Sequence, residues 1–237
     1  MPWETNVVVC VPDVCAGRAS FASWHRLSTH GTRLLAVRLP GREDLLDAPA
    51  PADVERAVEY LEAEYSEALA CSGAPRSIAF FGHGLGSLLA CELARSAEAR
   101  GRQVVRHVFV SGPDWAAMPA ADTDRWAAAA SDDQLLGRVE ELTGHRHPAF
   151  DVRELRTPLL RTLRADLRLR AALRTALRPG LAAPVTYLCG DAEGSAGRGW
   201  ESLTGGLFRR VELPGGRRFL AESAATVVDL ITSTLAR

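Results

Sequence analysis

Six short apolar runs alternate along the chain with segments whose apolar residues recur at helical spacing. Because polar residues do not interrupt the runs, they predict strands that are buried on both faces, as in a parallel sheet with helices on each side. Strands and helices in alternation indicate an α/β fold with a mostly parallel sheet. The runs lie at residues 7–11, 34–39, 78–81, 104–110, 185–188 and, more weakly, 208–213.

Amphipathic segments fill most of the chain between these runs. Three of them predict helices, at residues 51–70, 85–100 and 219–235. A longer interruption, about residues 122–178, shows helical patterns and no strand run. We expect it to form a helical lid insertion over the carboxyl ends of the strands. The length of the chain favours a single domain that covers residues 1–237.

Composition adds few constraints on function. Hydrophobic residues make up 47% of the chain and charged residues 24%, which are ordinary values for a globular protein. The net charge of −1 supplies no field that would attract nucleic acid. The apolar run near the N-terminus is too short to span a bilayer and has no basic segment before it. We therefore expect a cytoplasmic protein that binds neither nucleic acid nor membrane.

The five cysteines give no sign of a metal site or a disulfide framework. They are scattered, with no C-x-x-C pair and no histidine at zinc-ligand spacing, so we expect no metal and no cofactor. Cys10, Cys91 and Cys189 stand within apolar strand or helix patterns. These three are predicted to be reduced thiols in the core.

The stretch FFGHGLG at residues 80–86 has the outline of a nucleophile elbow without its nucleophile. It follows an apolar strand and precedes a helix, as the motif G-x-S-x-G does, but its middle position holds Gly84. Glycine adopts strained backbone conformations more easily than other residues, so the turn is expected to persist. Gly82 and Gly86 are expected to permit the close approach of strand and helix, and His83 to support the turn.

Several further motifs carry a resemblance to one family. They are LPGRED at residues 39–44, FVSG at 109–112, LLR at 159–161 and LPGG at 213–216. With these motifs the chain resembles, over nearly its whole length, the type II thioesterases of polyketide and nonribosomal peptide assembly lines. Those enzymes have the α/β-hydrolase fold and remove acyl chains from the phosphopantetheine arms of carrier proteins. The resemblance implies the same fold and an acyl or peptidyl carrier protein as partner.

The chain departs from the family at each catalytic position. The resemblance places Gly84 at the serine, Arg217 at the histidine and Glu193 at the acid, and it places Asp13 in the loop that helps to form the oxyanion hole. Glycine cannot attack a thioester, and a guanidinium stays protonated and cannot act as a base. Losing the serine or the histidine alone removes about as much catalysis as losing all three triad members, on the order of 10⁶. Hydrolysis of the family type is therefore expected to be absent.

Other residues of the implied site remain open to more than one interpretation. Glu193 and Arg217 either form a structural ion pair or, together with Asp13, bind and polarise a tethered substrate. Cys15 and Ser87 are weak candidates for a replacement nucleophile, because the thiol lacks an imidazole neighbour and the serine is expected to pack or hydrogen-bond within its helix. The resemblance further implies that the substrate is lined by Val14, Cys15, Gly84 and Leu85.

Three hypotheses about function follow. The first is a non-hydrolytic accessory protein that binds carrier-tethered acyl intermediates. The second is a repurposed enzyme that performs a cyclisation, a dehydration or a decarboxylation on them, and the least favoured is an active thioesterase that uses Cys15, Ser87 or directly activated water. A basic helical face in the lid is expected either to dock an acidic carrier protein or to be merely solvated. That face consists of Arg161, Arg164 and Arg168.

Overall fold

Six parallel strands form one sheet in the computed structural model. The structure describes residues 6–27, 31–51, 53–70, 77–101, 103–115, 126, 129–143, 148–191, 197–216 and 219–236. The strands lie in the order β2-β1-β3-β4-β5-β6, and every neighbouring pair is parallel. The predicted α/β fold with a mostly parallel sheet is confirmed. The strands are β1 (Asn6–Val11), β2 (Thr32–Ala36), β3 (Ser77–His83), β4 (Val104–Ser111), β5 (Val185–Gly190) and β6 (Phe208–Leu213).

Seven α-helices are assigned within the described part of the chain. They are α1 (Val54–Ala70), α2 (Leu85–Arg100), α3 (Asp132–Thr143), α4 (Arg153–Ala176), α5 (Arg198–Glu201), α6 (Phe219–Glu222) and α7 (Ala224–Leu235). The helix predicted for residues 51–70 begins later, at Val54, and Asp53 accepts the N–H of Arg56 at 2.8 Å. The helix predicted for residues 219–235 is divided, because Ser223 leaves the helical conformation.

Strand β2 is shorter than the apolar run that predicted it. It ends at Ala36, although the buried residues Val37 and Leu39 continue the run. Its neighbour β1 ends at Val11 before Pro12, which has no N–H to offer to a ladder. The apolar run therefore continues into a buried segment outside the sheet.

Helices cover both faces of the sheet. Val7 and Val9 of β1 point into one apolar cluster with Leu61 of α1 and Leu88 of α2. The intervening Val8 points to the opposite face, as the period of two in a strand requires. The cluster on that opposite face also holds Phe21, Trp24, Phe81 and, from α7, Val227 and Ile231. Full burial of such a side chain contributes about 1.5–3 kcal/mol relative to exposure.

Helices make up most of the described residues between β4 and β5. We call α3, α4 and the 3-10 turn Pro148–Asp151 the helical insertion. Its apolar cluster includes Leu135, Phe150 and Leu163, and it packs against Val14 and Cys15 of the loop that follows β1. The helical insertion thus lies against the carboxyl end of β1.

The strand order reverses between β1 and β3. The chain adds β2 on one side of β1 and then β3 on the other side. In an open parallel sheet, a crevice forms at the carboxyl ends of the strands where the order reverses, and ligands bind there. The loop of residues 12–17 after β1, which we call the early loop, and the turn at Gly84 after β3 both lie at this point.

The described helices include none that is both long and apolar enough to cross a membrane. Cys10, Cys91 and Cys189 are buried and reduced, as predicted. Burial raises the pKa of the Cys10 thiol and raises that of Cys91 to about 12. These thiols therefore stay protonated and act as apolar core residues.

Candidate functional site

The turn after β3 keeps the geometry of a nucleophile elbow. Gly84 has φ +54° and ψ −116°, and its N–H donates to the carbonyl of Ser111 at 2.9 Å. A Cβ at Gly82 would overlap the carbonyl of Gly86, and a Cβ at Gly86 would overlap the carbonyl of Val11. Glycine is therefore required at both flanking positions, as the sequence predicted.

The carboxylate of Asp13 fills the space in front of Gly84. A Cβ built on Gly84 would overlap all three atoms of that carboxylate group, so a serine side chain has no room there while Asp13 keeps this position. Oδ1 of Asp13 accepts the N–H of Leu85 at 2.8 Å. In α/β-hydrolases the N–H of the residue after the nucleophile belongs to the oxyanion hole. Asp13 thus fills the space that a nucleophile side chain would need, and it also accepts the N–H that would belong to the oxyanion hole.

The carboxylate of Asp13 lies at the N-terminus of α2. Leu85 is the first residue of the sixteen-residue helix α2. The aligned peptide dipoles of a helix give its N-terminus a partial positive charge, which attracts a carboxylate. Within the described part of the chain, no basic side chain forms an ion pair with Asp13, and only its Oδ1 accepts a hydrogen bond. Arg42, a nearby cation, is bonded to Asp166 instead.

Ser87 is part of the support of the elbow rather than of its surface. The side chain is fully buried, and its hydroxyl lies 2.8 Å from the carbonyls of both Gly82 and Ser111. The same oxygen accepts the N–H of Ser111 at 3.0 Å. The prediction that Ser87 packs is confirmed, but its partners belong to β3 and β4 and not to its own helix. Its hydroxyl has no orientation left with which to attack a ligand.

His83 also serves the turn. Its Nδ1 lies 2.9 Å from the hydroxyl of Ser111, and its ring meets Phe219 edge-on at 6.4 Å between centroids. These contacts tie the end of β3 to the end of β4 and to α6. The predicted supporting role of His83 agrees with this arrangement.

The side chain of Cys15 is partly buried and packs against the helical insertion. Its backbone has φ +57°, its N–H donates to Oδ2 of Asp166 at 2.8 Å, and its thiol faces the carbonyl of Leu159 at 3.9 Å. Burial raises the pKa of this thiol well above its usual range, and the negative charge of Asp166 adds to the rise. The thiol is therefore protonated at neutral pH and is a poor nucleophile. Val14 packs between the sheet and the helical insertion.

A buried ion pair holds the early loop against the helical insertion. Arg42 of LPGRED donates to Oδ1 of Asp166 in α4 at 2.8 Å, and their side chains are 3% and 1% exposed. Arg42 also donates to the carbonyl of Ala16 at 3.2 Å, while the other carboxylate oxygen of Asp166 takes the Cys15 N–H. Burial raises the pKa of Asp166, and the charge of Arg42 opposes that rise.

The other residues of LPGRED extend this network. The carbonyl of Gly41 accepts the hydroxyl of Thr162 in α4 at 2.6 Å. Glu43 accepts the N–H of Ala19 at 2.9 Å, and Asp44 pairs with Arg38 at 2.7 Å. The motif, recognised in the sequence only as a family marker, therefore joins the early loop, its own turn and α4. Its partner in α4 lies 124 residues away, so no local spacing signals the pairing.

The predicted acid and base positions lie outside the described residues. The pairing of Glu193 with Arg217 therefore stays a prediction. Their described neighbours are in contact, since Asp191 accepts the N–H of Gly216 at 2.9 Å and a Cβ at Gly190 would overlap the carbonyl of Gly216.

The three arginines of the predicted docking face have different surroundings. Arg161 is exposed and donates to the carbonyl of Leu46 at 3.0 Å. Arg164 is half-buried and bonds to Asp132 and to the carbonyl of Ala130, both at 2.9 Å. Arg168 is exposed. Arg164 thus fastens α4 to the start of α3, which leaves Arg161 and Arg168 as the exposed members of this face.

No metal-binding group is evident in what the structure describes. Among those residues, no three or more His, Cys, Asp and Glu side chains lie together in a way that could hold an ion.

Comparison with known proteins relates the chain to thioesterases. The family described as thioesterase domain matches residues 6–235. The chain is 29% identical over 234 residues to thioesterase PikA5 of Streptomyces venezuelae, which covers 96% of this chain and 80% of PikA5. It is 29% identical over 233 residues to the AMB antimetabolite synthetase AmbE of Pseudomonas aeruginosa, which covers 97% of this chain and 11% of AmbE.

A solved structure supports the same relation. The type II thioesterase BorB from the borrelidin biosynthetic cluster matches with a TM-score of 0.78 at 26% identity, covering 100% of this chain and 94% of BorB. The α/β-hydrolase fold and the resemblance to type II thioesterases are thereby confirmed.

Removing the charge of Asp166 is expected to destabilise the protein strongly. Asp166→Asn leaves the guanidinium of Arg42 buried without its counter-ion, which costs about 3–5 kcal/mol in the free energy of unfolding. Denaturant unfolding measures the change. The matched control is Asp133→Asn, which removes an exposed partner of Arg156 and is expected to leave stability unchanged. Equal stability of both variants would contradict the assigned role of the pair.

Introducing the missing serine is expected to conflict with Asp13. Gly84→Ser must displace the carboxylate from the Leu85 N–H and impose a side chain at φ +54°, a loss of about 1–3 kcal/mol. In the double variant Asp13→Gly/Gly84→Ser the space is free, so a double-mutant cycle by denaturant unfolding should give a coupling of at least about 0.5 kcal/mol. Additive losses would mean that the two residues do not compete for this volume.

Proposed function

Because this chain belongs to the thioesterase family, we propose that it binds carrier-tethered acyl intermediates of a polyketide or nonribosomal peptide assembly line without hydrolysing them. One observation carries the proposal: the carboxylate of Asp13 takes the place of the nucleophile and accepts the N–H of Leu85. Acyl transfer by the family mechanism needs a nucleophile and a free oxyanion donor at this place. The described site offers neither.

The alternative nucleophiles are disfavoured on separate grounds. The Cys15 thiol is protonated because burial raises its pKa. The Ser87 hydroxyl is enclosed between Gly82 and Ser111. Water activated directly by Asp13 would still lack the Leu85 N–H for the developing oxyanion. An active thioesterase thus remains the least supported of the three hypotheses.

The assembly-line setting is inferred from relatives. BorB is a type II thioesterase from a biosynthetic cluster, and AmbE is a synthetase of which this chain matches a small part. Retention of the LPGRED network and of the helical insertion argues that the substrate side of the fold is still in use. We propose a cytoplasmic location, since buried reduced thiols such as those of Cys10 and Cys91 are typical of reducing compartments.

The second carboxylate oxygen of Asp13 supports an alternative function, catalysis of a non-hydrolytic step. A half-buried carboxylate beside the elbow, with one oxygen not hydrogen-bonded by any described residue, is placed as a general base would be. Such a base fits a cyclisation, dehydration or decarboxylation of a tethered chain, with the predicted Glu193 and Arg217 as further polar groups. This reading makes the chain a repurposed enzyme.

The proposed lack of hydrolysis is tested by following the intact mass of an acyl-loaded carrier protein with and without this protein. We expect the acyl mass to remain, whereas a serine thioesterase of the family, used as positive control, removes it. Release of the free pantetheine arm at an enzyme-dependent rate would contradict the proposal.

The same assay distinguishes an accessory protein from an enzyme that dehydrates or decarboxylates the tethered chain. A product lighter by water or by carbon dioxide, lost in Asp13→Asn and Glu193→Gln, would favour the repurposed enzyme. An unchanged acyl mass in every variant is the result expected of an accessory protein.

Docking of the carrier protein is expected to depend on the exposed arginines of α4. Arg161→Glu/Arg168→Glu should weaken carrier binding about tenfold at low ionic strength, because like charges then face each other. The control Arg26→Glu/Arg209→Glu makes the same charge change at exposed residues elsewhere. Calorimetric titration at two salt concentrations measures both. Equal affinities of the two variants would rule out this face as the docking surface.

A further inference from the structure

The elbow is closed to the ligand atom that a thioesterase binds there. An acyl carbonyl oxygen that approached the Leu85 N–H would meet Asp13 Oδ1, which already accepts that proton at 2.8 Å. Two acceptors at one donor repel each other, and neither carries a proton to share. Asp13 therefore excludes from this position the group that the fold otherwise recognises.

The early loop cannot readily withdraw Asp13. On its far side, Cys15 and Ala16 are held through their backbone by Asp166 and Arg42. The side chain of Glu43 lies so close to Gly17 that a Cβ there would overlap it. The carboxylate is thus presented to the elbow by a loop that is fixed over several consecutive residues.

The same carboxylate is suited to a different ligand group. Among the described residues, its Oδ2 accepts no hydrogen bond and no cation pairs with it, although the side chain is only half-exposed. A hydrogen bond to an ionised carboxylate is stronger when the donor is itself charged. A protonated amine can donate a hydrogen bond to Asp13 Oδ2 and also neutralise the negative charge of the carboxylate. A hydroxyl can donate the hydrogen bond but carries no charge.

We propose that Asp13 is the specificity-determining residue of this site, and that it selects tethered acyl groups that carry a protonated amine close to the thioester. This inference rests on the proposed function, because it assumes that a carrier-tethered acyl group enters the crevice. In this view Gly84 does more than remove a nucleophile. Any side chain at residue 84 would overlap the Asp13 carboxylate, so the carboxylate can hold this position only because residue 84 is a glycine.

The test uses three stable amide analogues of acyl-pantetheine and the full chain. The probes carry 3-aminopropanoyl, 3-hydroxypropanoyl and propanoyl groups, which differ only at the terminal position. Calorimetric titration at neutral pH should show the amine bound about tenfold or more tightly than the propanoyl probe, with the hydroxyl between them. In Asp13→Asn the difference should fall below about threefold, while the control Asp47→Asn, at an exposed residue, should keep it.

Each contrary outcome has a distinct meaning. Equal binding of the three probes to the native protein would overturn this inference and leave the proposed function standing. Preference for the hydroxyl probe over the amine would overturn the selection of a charged group. If none of the probes binds, both the inference and the proposed function are overturned. The ranking in the native protein decides the matter even if Asp13→Asn does not fold.

Discussion

The ion pair between Arg42 and Asp166 is the contact on which the arrangement of this site depends. Both charges are buried, so each would be costly without the other. Asp166 also accepts the N–H of Cys15, and Arg42 also donates to the carbonyl of Ala16. The early loop, the LPGRED turn and α4 therefore hold one another in place. We expect a substitution of Arg42 or Asp166 to displace the early loop and with it Asp13 at the elbow, although neither residue contacts Gly84.

Loss of the serine and the position of Asp13 are two aspects of one arrangement. The turn keeps its positive φ, its flanking glycines and the buried Ser87 that supports it. The group in front of this turn is the Asp13 carboxylate of the early loop, where the family motif has a serine side chain on the elbow. The N-terminus of α2 still has an anion in front of it, but this anion belongs to the protein. The fold of the thioesterase family is thus combined here with a carboxylate at the elbow.

Much of the fold and part of the site could be predicted from the sequence. Unbroken apolar runs produced strands because interior strands of a parallel sheet are buried on both faces, and the glycines of FFGHGLG identified the elbow because no other residue fits there. The position of Asp13 could not be predicted, since long-range contacts and not a local pattern determine it. The same holds for the partner of Arg42, 124 residues away, and for the cover that α4 places over Cys15. The predicted roles of Glu193 and Arg217 stay predictions.

Hydrogen exchange at the Leu85 amide shows whether the Asp13 carboxylate accepts this N–H of the elbow. As the first residue of α2, Leu85 has no acceptor within the helix, so its protection depends on Asp13. Exchange at Leu85 should accelerate about tenfold or more in Asp13→Gly, while the Gly84 amide, which donates to Ser111, stays protected. Unchanged protection of the Leu85 amide in that variant would mean that the Asp13 carboxylate does not accept this N–H.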